Sequence, residues 1–242
     1  MHEFETFVYL DVQKTGSTFV SYMLQQYTSE KELAFRKHGR VGGNYNPEKF
    51  YFISARDPLD QYISLYSHGC SAMGGLSNRL RNRGHEDLYD STWSGFRRWL
   101  KLALDPENAA LFDPEYGKKK YELSKLIGFQ TYRFLELALQ NPLVTLYACK
   151  TQDDIREAYK TKNIAKFIIR HEHFNEDVEE LLTTKIRKSV PDLDAALKFL
   201  KEGRKLNISD RVDQFLEDPN LGPKNRRALK EREWFLHELL GY

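Results

Sequence analysis

The residues most able to do chemistry form a short polar stretch near the start of the chain, with the sequence Gln13-Lys14-Thr15-Gly16-Ser17-Thr18. Lys14 supplies a cation, the hydroxyl side chains supply donors, and Gly16 lets the backbone come close to an anion. Apolar residues then recur at helical spacing, which predicts a helix beginning near Ser17 whose first N–H groups and positive dipole end attract anions. The stretch therefore predicts a cradle for phosphate or sulfate, although a helix start with an exposed lysine has the same residue types.

The stretch differs from the loop that binds nucleoside triphosphates. That loop has the pattern G-x-x-x-x-G-K-[ST], in which the lysine follows the second glycine. Here Lys14 precedes Gly16 and no glycine lies at the required distance before it. This order argues against a phosphate-transferring kinase and its Mg²⁺ arrangement.

A second stretch with binding chemistry follows the apolar run at residues 50–53. Arg56 stands at the end of this run, and arginine is the side chain that holds phosphate oxygens with two parallel hydrogen bonds. Asp57 is a good helix N-cap, Pro58 suits the first helical position, and Ser64 lies two turns further on. Taken alone, Arg56 could also pair with one of the nearby aspartates.

The elements that must position these residues alternate between strands and helices. Apolar runs predict strands at 7–10, 50–53, 142–148 and 165–169, and helical spacing predicts helices at 93–104, 123–138, 174–182 and 226–240. Residues 69–90, with Arg79, Arg81 and Arg83, predict a mobile basic loop that attracts an anionic acceptor or is merely solvated, and 203–223 predict another loop. The alternation favours a single α/β domain over residues 1–242, with a central parallel β-sheet flanked by helices.

Composition excludes several classes of protein. The 242 residues include 37 basic and 35 acidic side chains, which gives no global case for nucleic-acid binding. Two cysteines cannot staple a secreted fold, and no apolar run reaches the length of a membrane span. The opening residues lack the pattern of a secretory signal, so we expect a cytoplasmic location.

Together, the two stretches resemble the sulfotransferases that use 3′-phosphoadenosine 5′-phosphosulfate (PAPS). Residues 13–18 resemble that family's 5′-phosphosulfate loop, and residues 56–66 resemble its 3′-phosphate motif in both the Arg-Asp-Pro start and the spacing from Arg56 to Ser64. Residues 169–174 and 233–242 agree more loosely with its late strand end and terminal helix. The resemblance extends over nearly the whole chain and implies a P-loop-like sulfotransferase fold.

The resemblance also implies roles for single residues. Lys14 would stabilise charge on the leaving phosphate, Thr15, Gly16, Ser17 and Thr18 would hold the 5′-phosphate, and Arg56 and Ser64 would bind the 3′-phosphate. In the late loop, Lys205, Asn207 and Ser209 would close over the nucleotide, with a surface turn as the alternative. Sulfuryl transfer needs in-line geometry and stabilised charge on the leaving oxygen. The scheme requires no metal, and no cluster of His, Asp and Glu suggests one.

A general base must take the proton of the acceptor hydroxyl. His38, in Arg36-Lys37-His38-Gly39-Arg40, is the first choice, because carbohydrate-type members of the family carry a histidine segment before the 3′-phosphate strand. An exposed loop histidine would look the same, and Glu32 and His68 are the runners-up. We expect a carbohydrate hydroxyl as acceptor. The alternatives are a lipid or small-metabolite hydroxyl, or a non-catalytic module that binds 3′-phosphonucleotides.

Overall fold

Five short strands form the sheet of the computed structural model, which describes residues 1–43, 45–202 and 221–242. They are β1 (His2–Glu3), β2 (Phe7–Leu10), β3 (Ala34–Phe35), β4 (Phe50–Ala55) and β5 (Phe167–Arg170). Their order is β3-β1-β2-β4-β5. β2, β4 and β5 are parallel, whereas β1 pairs antiparallel with both β2 and β3. The α/β prediction is confirmed, but the sheet is mixed, so a wholly parallel sheet was wrong.

Helices make up most of the rest of the described chain, and 61% of the described residues are helical. They are α1 (Ser17–Tyr27), α2 (Pro58–Cys70), α3 (Gly75–Arg81), α4 (Trp93–Leu104), α5 (Ala109–Phe112), α6 (Leu123–Leu126), α7 (Phe129–Ala138), α8 (Pro142–Ala148), α9 (Gln152–Lys162), α10 (Phe174–Glu180), α11 (Leu193–Glu202), α12 (Gly222–Arg232) and α13 (Trp234–Leu240). Asp57 caps α2 by accepting the Asp60 N–H at 3.1 Å, as its position predicts.

The chain packs as two compact units. The first comprises Met1–Arg56, Phe134–Pro142 and Tyr159–Asn207, and the second comprises Asp57–Arg133, Leu143–Ala158 and Ile208–Tyr242. The first unit holds the whole sheet. The single sulfotransferase domain predicted for residues 1–242 stays a prediction.

The core of the first unit lies on one face of the sheet. Phe7 and Tyr9 of β2, Phe52 of β4 and Ile169 of β5 are fully buried and pack with the apolar faces of α1, α10 and α11. Fully buried aromatic and branched side chains are what a continuously apolar strand predicts. This packing fixes β2 and α1, and therefore the polar loop that joins them.

The strand predicted at 142–148 is wrong, because these residues form α8. Pro142 and Leu146 are buried while Val144 is 77% exposed. A spacing of four residues between buried positions is helical, whereas a strand would bury every second residue. A short apolar run does not separate the two by itself, and Pro142 at the first helical position favoured a helix.

Two helices predicted as continuous are broken. The one at 123–138 divides into α6 and α7 at Ile127 and Gly128, and the one at 226–240 divides into α12 and α13 at Glu233. A Cβ atom at Gly128 would lie 2.2 Å from Oε1 of Glu233, so the two breaks meet at one carboxyl group. Helical spacing continues across both breaks, which is why the pattern hid them.

The mobile basic loop predicted at 69–90 is also wrong. Residues 75–81 form α3, and a 3₁₀ turn covers Glu86–Leu88. Arg79 donates to the Phe112 carbonyl, and Arg81 donates to the Gly69 carbonyl at 3.1 Å and lies over the Tyr89 ring. These two arginines therefore stabilise the second unit.

In the part of the chain that the structure describes, no helix combines the length and the apolar character needed to cross a bilayer.

Candidate functional site

Three parallel strands bring their carboxyl ends to one edge of the sheet. Leu10 of β2 pairs with Ile53 of β4, and Ala55 of β4 pairs with Arg170 of β5. The polar loop 11–16, Arg56 and the turn after β5 therefore start side by side. In open α/β sheets, ligands bind beyond this edge.

Lys14 is the centre of positive charge at this edge. Its backbone is left-handed, with φ 63°, a conformation that costs a residue with a side chain about 1–3 kcal/mol. Burial, followed by the charges of Arg56 and Lys37, lowers the pKa of Lys14 from its usual 10.5 to about 8. No carboxylate of the described residues is among the groups that shift it. Among the described residues, the charges that act on the half-buried Lys14 are therefore positive.

Arg56 joins the two stretches that the sequence singled out. Its side chain is 5% exposed, and one terminal guanidinium nitrogen donates to the Lys14 carbonyl at 3.3 Å. This hydrogen bond helps hold Lys14 in its strained conformation. The structure thus brings Lys14 and Arg56 together, 42 residues apart in the sequence.

Thr15 faces the interior instead of the loop's open side. Tyr9 donates to Ser54 at 2.8 Å, Ser54 to Thr15 at 2.6 Å, and Thr15 to the Val12 carbonyl at 2.7 Å. The direction follows because a carbonyl oxygen only accepts. Thr15 is fully buried and its hydroxyl is engaged in this series of hydrogen bonds. Only the backbone N–H of Thr15 is therefore left to contribute to an anion site.

Gly16 begins α1 as its N-cap, with φ 84°. A Cβ atom there would lie 3.0 Å from the Phe174 ring and 3.7 Å from the His171 ring, so both the backbone conformation and the close approach require glycine. Ser17 and Thr18 form the first turn of α1, where backbone N–H groups have no partner within the helix. The half-buried Ser17 and exposed Thr18 lie where an anion would meet the positive end of the helix.

His38 is held against the start of the same loop by Asp11. The His38 N–H donates to both carboxylate oxygens of Asp11, at 3.0 and 3.1 Å. The ring Nδ1 lies 2.7 Å from the Asp11 carbonyl, which only accepts, so Nδ1 carries the hydrogen. In a neutral ring, Nε2 then carries the lone pair that a general base needs.

The runners-up for the base are placed differently. Glu32 accepts from His2 Nδ1 at 2.6 Å and from the Gln25 side chain at 3.0 Å, so both its oxygens are engaged in the first unit. His68 lies in the last turn of α2, in the second unit, with its ring against Gly74. Ser64 lies on the same helix and is buried.

Sequence reasoning missed two residues around the loop. They are Asp11, which anchors His38, and His171, which packs against Gly16. Lys37 was named only as a neighbour of His38, and its charge also acts on Lys14. Asp11 had a signal, because it is a buried acid directly after an apolar strand. The predicted binding residues Lys205 and Ser209, with Asn207, lie outside the described residues.

Comparison with known proteins adds no relative. The chain matches no protein-family model, no curated protein and no solved structure. The function must therefore be inferred from the site itself.

Proposed function

We propose that the chain is a sulfotransferase that moves a sulfuryl group from PAPS to an acceptor hydroxyl, built on a P-loop-like sulfotransferase fold. One observation carries the proposal. A strained, half-buried Lys14 shares its loop with a helix N-terminus and accepts a hydrogen bond from Arg56 through its carbonyl, with no carboxylate of the described residues among the groups that shift its pKa. Such a site suits a ligand with several negative charges.

The residues at the loop fit the nucleotide that the resemblance implies. Lys14 supplies the charge that stabilises a leaving phosphate, and the N–H groups of the first turn of α1 bind its oxygens. Arg56 binds the 3′-phosphate, which ATP lacks, and Ser64 is assigned to the same phosphate by the resemblance alone. When bound, PAPS supplies the activated sulfuryl group.

His38 is the general base in this proposal. Its Nε2 takes the proton of the acceptor hydroxyl while the acceptor oxygen forms its bond to sulfur and the bond from sulfur to the phosphate oxygen breaks. Of the three candidate bases, His38 has the support of a fixed ring whose Nδ1 is already a donor. We assign a carbohydrate as acceptor on the resemblance, with a lipid or small metabolite as the alternative.

Calorimetry with 3′,5′-ADP, 5′-ADP and ATP tests the nucleotide. We expect 3′,5′-ADP to bind at least about 10-fold more tightly than either, because a hydrogen bond to a charged group contributes about 1.5–3 kcal/mol. Arg56→Ala should remove this preference. Arg56→Lys is the matched variant, since it keeps the charge but loses the planar pair of donors, and it should retain only part of the preference. Equal affinity of the parent for ATP would overturn the assignment.

Transfer of labelled sulfate from PAPS to a panel of glycans and small alcohols tests the reaction. His38→Ala should bind 3′,5′-ADP like the parent but transfer about 100-fold or more slowly, as expected on loss of a general base. If the parent binds the nucleotide but modifies no acceptor, the non-catalytic binding module is favoured.

A further inference from the structure

We propose that Asp11 is the positioning residue for His38, fixing both the turn that carries the ring and the ring's tautomer. The inference deepens the proposed function and rests on it for the role of His38. The contacts that support it belong to the protein alone, so they can be tested without an acceptor.

The backbone at His38 needs an external support. The Gly39 N–H donates to the Arg36 carbonyl at 2.9 Å, which closes a turn over residues 36–39, and His38 has φ 53° in that turn. Glycine is the usual residue at this third position of such a turn, so a histidine there is strained. The two contacts from the Asp11 carboxylate to the His38 N–H hold the strained residue in place.

Asp11 also determines how the ring is presented. Its carbonyl accepts from Nδ1 at 2.7 Å, and its carboxylate oxygen Oδ2 lies 3.2 Å from the same atom. Two acceptors on one side of the ring favour hydrogen on Nδ1, which leaves Nε2 as the proton acceptor of the neutral ring.

The carboxyl group of Asp11 stays ionised, so it can accept these hydrogen bonds at any physiological pH. Burial raises its pKa, but the hydrogen bonds from His38 and the nearby Met1 amino group outweigh burial and lower the pKa to about 2. Asp11 is therefore ionised throughout the physiological range. It is 3% exposed, so little solvent competes with its hydrogen bonds.

An ion pair steadies the far side of the turn. Arg40 Nε lies 3.1 Å from Glu136 Oε1, and the Glu136 side chain is 3% exposed. The turn that carries His38 is thus held at two points, by the Asp11 carboxylate at His38 itself and by the Arg40–Glu136 ion pair two residues later. Because Asp11 precedes Lys14 by only three residues, the base and the anion loop share one short piece of backbone.

Nitrogen-15 NMR of histidine-labelled protein tests the inference, since the two ring nitrogens report which of them carries hydrogen. His38→Gln assigns the His38 signals. We expect the parent to show the Nδ1–H tautomer for the neutral ring. Asp11→Ala keeps the carbonyl acceptor but removes the carboxylate that holds the turn and is the second acceptor near Nδ1, so it should give a mixture of tautomers. Asp11→Asn, which keeps an acceptor oxygen, should restore the parent signal.

A second variant disturbs the same turn without touching Asp11. A Cβ atom at Gly39 would lie 2.6 Å from the Cβ atom of Arg36, so Gly39→Ala should distort the turn and also give a mixture of His38 tautomers. This variant decides the matter if Asp11→Ala does not fold. In both variants, transfer of labelled sulfate from PAPS to an acceptor should fall about 10- to 100-fold, while the dissociation constant for 3′,5′-ADP changes less than about 3-fold.

The failures of the two proposals are distinguishable. An unchanged tautomer in Asp11→Ala and Gly39→Ala would overturn the positioning role, even if 3′,5′-ADP binds well. A parent that fails to bind 3′,5′-ADP would overturn the sulfotransferase, even if the tautomer depends on Asp11 as expected.

Discussion

Two ionisable side chains, the half-buried Lys14 of the first unit and the fully buried Glu233 of the second, have opposite surroundings. In the first unit, Lys14 is surrounded by further positive charge and its pKa is lowered to about 8, chiefly by burial. In the second unit, Glu233 is fully buried and accepts hydrogen bonds from Tyr62 at 2.5 Å, from the Gln130 and Thr131 N–H groups at 3.1 and 2.8 Å, and from the Thr131 hydroxyl at 2.7 Å. One group lies among like charges, and the other lies among its own donors.

The difference distinguishes a candidate binding site from a structural contact. Glu233 receives the first N–H groups of α7, so its carboxyl group completes a helix end that would otherwise be unsatisfied. Lys14 is held in a strained conformation whose cost is met by neighbouring contacts, as is typical of functional sites. A buried charge that the fold satisfies indicates a structural role, whereas a half-buried charge among like charges marks a candidate ligand site.

The largest effect on stability should come from removing the Glu233 carboxyl group, whose hydrogen bonds are made within the fold. Glu233→Ala leaves a hydroxyl pair and two backbone N–H groups buried without an acceptor, so we expect the free energy of unfolding to fall by about 3–5 kcal/mol in urea denaturation. Glu231→Ala, two residues earlier in α12, is the control, since Glu231 pairs with the exposed Arg227 and its removal should change stability little. Equal losses in the two variants would remove the distinction between the units.

The opposite result is expected for Lys14. Lys14→Met keeps the length of the side chain but removes its charge, so affinity for 3′,5′-ADP should fall about 10- to 100-fold in calorimetry. The free energy of unfolding should not fall, because no carboxylate of the described residues is among the groups that shift the pKa of Lys14, so its charge gains no stabilising ion pair from them. Lys37→Met, at an exposed position, should weaken binding less. A clear loss of stability in Lys14→Met would make Lys14 a structural residue like Glu233.

His38 tests the same distinction between a functional and a structural residue, because one substitution should affect transfer and stability differently. His38→Gly relieves the left-handed strain but loses the ring's hydrogen bond, so the two effects oppose each other and stability should stay within about 1 kcal/mol of the parent. Thermal unfolding and the PAPS assay measured together should show retained stability with lost transfer. A variant that loses both would indicate that His38 serves the fold.

The sequence predicted the parts of the fold whose signals are local. The apolar runs of β2 and β4, the helix starts at Ser17 and Pro58, and the cap at Asp57 all depend on residues a few positions apart. β1 and β3 were missed because each has only two residues, too few for a pattern, and they form only by pairing with each other and β2.

The candidate site divides in the same way. Lys14, Gly16 and Arg56 were found because loop chemistry after a strand is visible in sequence. The contact from His38 to Asp11 spans 27 residues and the Arg40–Glu136 pair spans 96, so no local pattern contains them. Likewise, the inward turn of the Thr15 hydroxyl depends on Ser54 in another strand.

The smallest expected effect is a proton uptake by Lys14 on ligand binding, which tests directly whether its charge is neutralised by the ligand. With a pKa of about 8 in the free protein, Lys14 is about half deprotonated at pH 8. A bound phosphate favours the charged form and raises this pKa, so binding of 3′,5′-ADP at pH 8 should take up about half a proton. Calorimetry in buffers of different ionisation enthalpy measures this uptake.

The sign of the pH dependence follows from the same pKa. As pH rises from 7 to 9, the protonated fraction of Lys14 falls about 10-fold, so the dissociation constant for 3′,5′-ADP should rise about 10-fold. The ligand's phosphates, with a second pKa near 6, stay ionised over this range and add no comparable change. Lys14→Arg keeps its charge at every pH, and its binding should be nearly flat with no proton uptake. A parent whose affinity does not change between pH 7 and 9 would show that Lys14 is already matched by a charge within the protein, as Glu233 is matched by its donors.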